Sequence, residues 1–254
     1  MSLADIFDGY IVDLDGVVHL GWEPLPGAVD TLRELSRRGK RVVYLTNEPR
    51  YARTSITSRL RGFGLDVAAD SVVTSGWAAA IRVAEGGASV YVIGSAELRA
   101  EVTRAGGVVL SAADASTADR ILVAGHSDFS YAELRAACRA GAAGAELFAA
   151  NRDATFPMPD GPWPATGAIL AAVETALGQS ATAVGKPEPA IFRLAQSRLG
   201  PLTTVVIGDR PDTDILGGRR AGLPTILVGS APVTAETRPD HIIADLPGLL
   251  ARSL

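Results

Sequence analysis

Cysteine is almost missing from this chain: Cys138 is the only one in 254 residues. An intramolecular disulfide and a Cys-rich zinc site are both excluded, and a cytoplasmic setting is the expectation. Lysine is nearly as scarce. Lys40 and Lys186 are the only two among 24 basic residues, and the rest are Arg. Positive charge is outweighed overall, with 28 acidic residues and a net charge of −4. The sequence therefore lacks the strongly basic face with which a nucleic-acid binder neutralises phosphates, and no nucleic-acid partner is expected. No apolar run approaches the ~20 residues of a membrane span. The opening stretch, MSLADIFDGYIVDLDG, lacks the basic and then apolar pattern of a secretory signal, so no membrane partner is expected either. Fixed-period repeats, heptads and low-complexity tails are absent too.

Apolar residues make up 47% of the chain and charged residues 20%, a balance that supports a large core and excludes a disordered or fibrous chain. The length suits one large domain or two modest ones. Apolar, β-branched runs predict strands at Tyr10–Leu14, Arg41–Leu45, Val90–Ile93, Arg120–Val123, Thr204–Ile207, Thr225–Val228 and His241–Ala244. Between them, helical periodicity predicts helices at Ala28–Arg38, Tyr51–Arg61, Tyr131–Ala140, Gly167–Leu177, Ala190–Arg198 and Asp212–Ala221. This alternation is that of an α/β fold with a doubly wound, Rossmann-like parallel sheet.

The strands do not read as one uninterrupted sheet. Residues 77–181 hold their own set of strands and helices, so a smaller α/β domain is expected to be inserted into a core formed by residues 1–76 and 182–254. The insert includes the Pro-rich stretch Phe156–Pro164, predicted as an irregular loop, and loops of that length are more often functional or mobile than plain connections.

In open α/β sheets, ligands bind beyond the carboxyl ends of the strands, where loops and helix N-termini converge. Four predicted strand ends carry polar residues. The first delivers Asp13 and Asp15, placed by strand alternation on one side, with Gly16 letting the chain turn away. Paired carboxylates repel unless a cation or a proton relieves them, and Mg²⁺ is the natural hard, oxygen-seeking cation. An Asp capping a turn would read the same way. The second strand ends in Thr46-Asn47 before Glu48-Pro49, which predicts a helix start whose hydroxyl and N–H groups suit a phosphoryl oxygen or serve as ordinary caps. The third site is Lys186 in Gly185-Lys186-Pro187. In a chain that otherwise writes positive charge as Arg, a lone Lys points to a compact point charge, or else to a surface turn. The fourth is Gly208-Asp209-Arg210-Pro211-Asp212-Thr213-Asp214. There Asp212 reads as a helix cap, Asp209 is placed to reach a metal held by Asp13, and Asp214 is placed to orient that group from behind.

Taken together and in this order, DLDGVV, Thr46-Asn47, Lys186 and GDRPDTDI resemble the four motifs of the haloacid dehalogenase-like (HAD) hydrolases. The large insert before Lys186 and the GKP around it resemble the NagD or p-nitrophenyl phosphatase-like subgroup with a C2-type cap. The resemblance implies a Mg²⁺-dependent phosphatase that hydrolyses small phosphomonoesters, whether sugar, glycerol or glycolate phosphates or nucleotides. It assigns Asp13 as the nucleophile that becomes an aspartyl-phosphate, and Asp15 as the acid that protonates the leaving alcohol and then activates water. Thr46, Asn47 and Lys186 are implied to bind the phosphoryl group. The Asp13 carboxylate, the Asp15 main-chain carbonyl and Asp209 are implied to ligate Mg²⁺, with Asp214 behind them. A homodimer formed through the cap is a further implication.

Selectivity for the rest of the substrate then falls to the insert. The subgroup's TNxD-like cap motif matches at Asn151 and Asp153, although its Thr is Ala150 here, and the usual PGTG is Pro164-Ala165-Thr166-Gly167. Phe156 is expected either to face the leaving group or to pack the cap. His19, Trp22 and His126 read as packing or surface residues that border the cleft at most. Two rival classes share part of this chemistry. A phospho-receiver signalling domain has about half the length and its phosphoacceptor on a middle strand, and a phosphomutase protects its aspartyl-phosphate from water.

Overall fold

The computed structural model describes residues 2–158 and 160–251. The chain divides into two compact units, one formed by Met1–Thr46, Arg53–Val73 and Lys186–Leu254, the other by Asn47–Ala52 and Thr74–Gly185.

The first unit is built on a six-stranded sheet in the order His241–Ile243, Thr225–Val228, Thr204–Gly208, Gly9–Asp13, Arg41–Thr46, Val72–Thr74. Neighbouring strands from His241–Ile243 through Arg41–Thr46 are parallel. The strand Gly9–Asp13 lies inside the sheet and is buried along its whole length, as expected of a parallel strand covered on both faces. Its one aromatic, Tyr10, keeps its hydroxyl satisfied there by donating to the carbonyls of Ala4 and Phe7, each at 3.1 Å. Helix Ala28–Arg37 buries Ala28, Thr31, Leu32 and Leu35, a stripe at helical spacing. Helix Pro189–Leu199 opens with proline in its first turn, buries Ile191, Phe192, Ala195 and Leu199, and packs on strands Gly9–Asp13 and Arg41–Thr46.

The second unit has its own parallel sheet, ordered Thr182–Ala183, Glu146–Ala149, Arg120–Val123, Ser89–Ile93, Val108–Leu110. Helices Ser75–Ala84, Ala96–Arg104, Tyr131–Ala142 and Thr166–Leu177 accompany it. Its core joins Ile93, Ile121 and Val123 of the sheet to Ala136, Ala137 and Ala140 of one helix and Leu170 and Val173 of another. The architecture is thus a doubly wound, Rossmann-like core interrupted by a smaller α/β unit.

Three local expectations need correction. The Pro-rich stretch is no irregular loop: Thr155–Met158 and Gly161–Pro164 pair as an antiparallel ribbon with Phe156 opposite Trp163, and Pro159 lies outside the described residues. A two-stranded ribbon has two outer edges whose N–H groups need no partner, so proline is tolerated there. No helix opens at Thr46-Asn47, because the next one spans Arg53–Gly62. Glu48 closes a local turn instead, accepting from the Arg50 main-chain N–H and from its Nε, both at 2.8 Å. Nor does Asp212 cap a helix. Its carboxylate pairs with the Arg210 guanidinium at 2.8 Å, while Pro211–Ile215 forms a π-helical turn leading into helix Leu216–Arg220.

Candidate active site

Asp13 is the last residue of the interior strand Gly9–Asp13, and Asp209 directly follows the neighbouring strand Thr204–Gly208. Asp214 reaches them from the π-helical turn. One oxygen from each of the three carboxylates lies within 4.8 Å of the others. Two glycines make this approach possible. A Cβ on Gly16, which has φ +84°, would lie 2.2 Å from Asp209 Oδ2, and a Cβ on Gly208 would lie 2.2 Å from Asp214 Cβ. Gly16 therefore turns the chain away from the strand and clears space for the acid opposite.

The ammonium of Lys186 is buried in this group and donates to Asp13 Oδ1 at 2.7 Å and Asp214 Oδ1 at 2.6 Å. The other oxygen of Asp214 accepts from the Arg210 main-chain N–H at 3.2 Å. Burial raises the Asp13 carboxyl well above its usual range, and Asp214 and Asp209 push it the same way against Lys186. Asp209 is raised to about 6, by burial first and by Asp214 second. For Lys186, burial alone favours loss of the proton, but the Asp13 and Asp214 carboxylates prevail and hold it above its usual value.

Three carboxylates facing one ammonium leave an excess of negative charge, and one buried oxygen, Asp209 Oδ1, has no hydrogen-bond partner. An unpaired carboxylate oxygen in such a place is costly unless a cation occupies it. An all-oxygen donor set of this charge fits a hard divalent ion such as Mg²⁺.

Asp15 lies apart from this cluster. The strand ends at Asp13, so alternation does not govern the position of Asp15; its side chain is 53% exposed, with Oδ1 3.6 Å from Nδ1 of His19. Thr46 ends the strand beside Gly9–Asp13, one residue beyond Leu45, which pairs in register with Asp13, and it is buried.

The remaining candidates group in the second unit. Asn47 donates from Nδ2 to Asp153 Oδ2 at 2.9 Å, and its carbonyl accepts from Asn151 Nδ2 at 2.6 Å and from Ser75 Oγ at 2.7 Å. Asn151 Oδ1 in turn accepts from the Asp153 main-chain N–H at 3.0 Å. The amide of Asn151 is thus a strut for the 47–52 segment. Ser75, the first residue of its helix, went unnoticed in the sequence because a serine at a helix start looks like any cap. Phe156 stacks edge-on with Trp163, ring centres 6.3 Å apart, and lies under the Arg50 guanidinium at 4.3 Å. Arg50 is a second residue missed, since cation–π stacking leaves no periodic mark. His126 of this unit sits 3.1 Å from Glu133, while Trp22 of the first unit is 66% exposed under Arg59.

Comparison with known proteins matches residues 10–107 to a family described as haloacid dehalogenase-like hydrolase, and residues 183–249 to one described as HAD-hydrolase-like. The first span holds Asp13, Asp15 and Thr46; the second holds Lys186, Asp209 and Asp214. Human chronophin is 38% identical over 89% of this chain and 83% of its own. The glycerol phosphate phosphatase of Mycobacterium tuberculosis, solved in complex with magnesium, is similar at a TM-score of 0.91 and 32% identity, covering 98% of this chain and 78% of its own. A p-nitrophenyl phosphatase from Archaeoglobus fulgidus is similar at a TM-score of 0.87 and 30% identity, covering 96% of this chain and 98% of its own.

Proposed function

The chain belongs to the haloacid dehalogenase-like hydrolases, in their NagD or p-nitrophenyl phosphatase-like subgroup, and is a phosphoric monoester hydrolase; from that premise we propose that it is Mg²⁺-dependent and cleaves small phosphomonoesters through an aspartyl-phosphate on Asp13. The observation that carries this reading is the Asp13–Asp209–Asp214 group, in which Asp13 and Asp214 are buried against the Lys186 ammonium and Asp209, half-buried, has an orphaned oxygen.

Asp13 Oδ attacks phosphorus in line while the bond from phosphorus to the ester oxygen breaks, and Asp15 gives its proton to the departing alcohol. Asp15, now a carboxylate, then takes a proton from water. That water attacks phosphorus, the bond to Asp13 breaks, and free phosphate leaves. Acid–base help of this sort is worth ~10²–10⁴-fold when the group is well placed. Lys186, Thr46 and Asn47 bind the phosphoryl oxygens, and Lys186 offsets charge that grows on them in the transition state. The Asp13 and Asp209 carboxylates and the Asp15 main-chain carbonyl would hold Mg²⁺, with Asp214 fixing Lys186 and the turn behind them. When bound, the ion neutralises the phosphoryl oxygens and favours the ionised form of Asp13.

Sugar, glycerol and glycolate phosphates and nucleotides are the substrate classes in view, and the second unit, through Asn151, Asp153 and Phe156, is the proposed selector among them. The resemblance to a glycerol phosphate phosphatase supports the small end of that range. Among the described residues no helix is long and apolar enough to cross a membrane; a cytoplasmic place of work and a homodimer through the second unit complete the proposal.

The test is a panel of phosphorylated metabolites with and without Mg²⁺, run beside Asp13→Asn. Release of phosphate that needs Mg²⁺ and is abolished by Asp13→Asn is expected; full turnover by Asp13→Asn overturns the mechanism. Phosphoenzyme that survives without releasing phosphate would indicate a phosphomutase. For selectivity, Phe156→Ala is expected to change kcat/KM unequally across the panel, and one common factor for every substrate would remove Phe156 from that role.

A further inference from the structure

Arg50 has no part in the reaction described above, yet its main chain and its side chain are both held in place. Its main-chain N–H and its Nε donate to Glu48 Oε1 at 2.8 Å each, and its Nη2 donates to Glu48 Oε2 at 2.5 Å. Its carbonyl accepts at 2.5 Å from Oγ of Ser95, the N-cap of helix Ala96–Arg104. A planar guanidinium paired along one edge presents its faces to aromatic rings. One such ring is Phe156, whose centre lies 4.3 Å from Arg50 Cζ, and another is Tyr51 at 5.6 Å. All of these residues belong to the second unit. Phe156 sits in the ribbon of Thr155–Met158 and Gly161–Pro164, where it pairs in register with Trp163 and meets that ring edge-on. Helix Thr166–Leu177 also packs against this ribbon. A two-stranded ribbon is marginal by itself, so its orientation depends on side-chain anchors such as the Arg50 stack.

We propose that Arg50 is a positioning residue for Phe156: its guanidinium ties the ribbon to the 47–52 segment and so fixes the ring that sorts substrates. The inference rests on the selector role given to Phe156 above. Glu48 sets the plane of the guanidinium, so the cation lies over the ring with little further loss of side-chain freedom. The same carboxylate offsets the charge of Arg50, which makes it a poor second anchor for the phosphoryl group. The Arg50 side chain is 29% exposed, and a cation–π contact in such a place is worth several-fold in an equilibrium. Substitution of Arg50 therefore reaches the substrate through the ribbon, as a change in which esters are accepted. The rival route runs through Asn47, three residues earlier, whose carbonyl accepts from Asn151 and Ser75. A disturbance there would reach the phosphoryl group and burden every ester alike.

Hydrogen exchange and substrate preference test the two halves of the proposal. In the intact Mg²⁺-loaded protein, Arg50→Gln is expected to speed amide exchange in the ribbon about three- to fivefold, with exchange in strand Arg120–Val123 unchanged. Unaltered exchange in the ribbon, or faster exchange throughout the unit, overturns the proposal. The same variant should shift the ratio of kcat/KM for glycerol phosphate to that for a nucleoside monophosphate by a similar factor toward the bulkier ester, in KM more than in kcat. Phe156→Leu keeps an apolar side chain but removes the ring face, and should shift the ratio in the same direction. Arg50→Gln added to it should then shift the ratio no further. A loss common to both esters, or full additivity with Phe156→Leu, overturns the role of Arg50. Glu48→Gln, which unlocks the guanidinium without removing it, should give the same two effects at smaller size, and it carries the test if Arg50→Gln does not fold. If Phe156→Leu leaves the ratio unchanged, the selector reading falls and this proposal with it; if Phe156→Leu shifts the ratio and Arg50→Gln does not, only the role of Arg50 falls.

Discussion

Lys186 touches two buried carboxylates at once, so its removal leaves Asp13 and Asp214 without their counter-charge in a place largely shielded from water. Lys186→Met is therefore expected to destabilise the metal-free protein by about 3–5 kcal/mol, read from urea unfolding, and to abolish turnover; an unchanged unfolding midpoint would contradict the pairing. Asp209 gives a pH dependence whose sign is fixed. Its folded-state pKa, about 6, lies above its ordinary value of 3.8, so its ionisation costs the folded metal-free protein stability as pH rises through that window, and the cost is absent below it. Mg²⁺ needs the ionised form, so its apparent affinity should weaken as pH falls below about 6, by as much as about tenfold per unit; calorimetric titration on either side of that pH checks this, and a pH-independent affinity would contradict it. Lys186 and Asp209 were legible in the sequence because a lone Lys among arginines and an acid after an apolar run stand out. The ties between them were not, since residues 173 positions apart in the chain, such as Asp13 and Lys186, meet only through the sheet.

At the scale of elements, long β-branched runs predicted strands well: Arg120–Val123 and Thr225–Val228 fall where periodicity puts them. The short strands Val72–Thr74, Val108–Leu110 and Thr182–Ala183 were missed because two or three residues carry no period. Helix Ser75–Ala84 escaped notice for the opposite reason: almost every residue in it is buried, which erases the polar face. The turn after the strand Gly9–Asp13 gives a sharper prediction. Gly16 and Gly39 both have positive φ, +84° and +73°, but a Cβ at Gly16 meets Asp209 while one at Gly39 meets nothing within 4 Å. Gly39→Ala should therefore cost only the backbone strain, about 1–2 kcal/mol, and leave Mg²⁺ binding intact. Gly16→Ala should lose Mg²⁺ affinity as well. Equal Mg²⁺ affinity in the two variants, measured by calorimetry, would contradict the packing of Gly16 under Asp209.

For the whole molecule, the alternation of strands and helices was enough to predict a parallel sheet interrupted by a second one, because the longer strands of a doubly wound core carry its pattern. The grouping of Asn47–Ala52 with the inserted unit was not legible, since side-chain bonds from Asn151 and Ser75, and not periodicity, hold that segment. A bound cation should act on this entire assembly: Mg²⁺ is expected to raise Tm with its logarithmic concentration, as for any ligand of the folded state, and Asp209→Asn should flatten that rise. The most direct test of the central claim is to quench the protein in acid during turnover with Mg²⁺ and a good substrate, then map the phosphorylated peptide by mass spectrometry. Phosphate on Asp13, formed and lost fast enough to account for the release of free phosphate, is the predicted result. Release of phosphate with Asp13 never modified, or with the phosphoryl group on another residue, would contradict it.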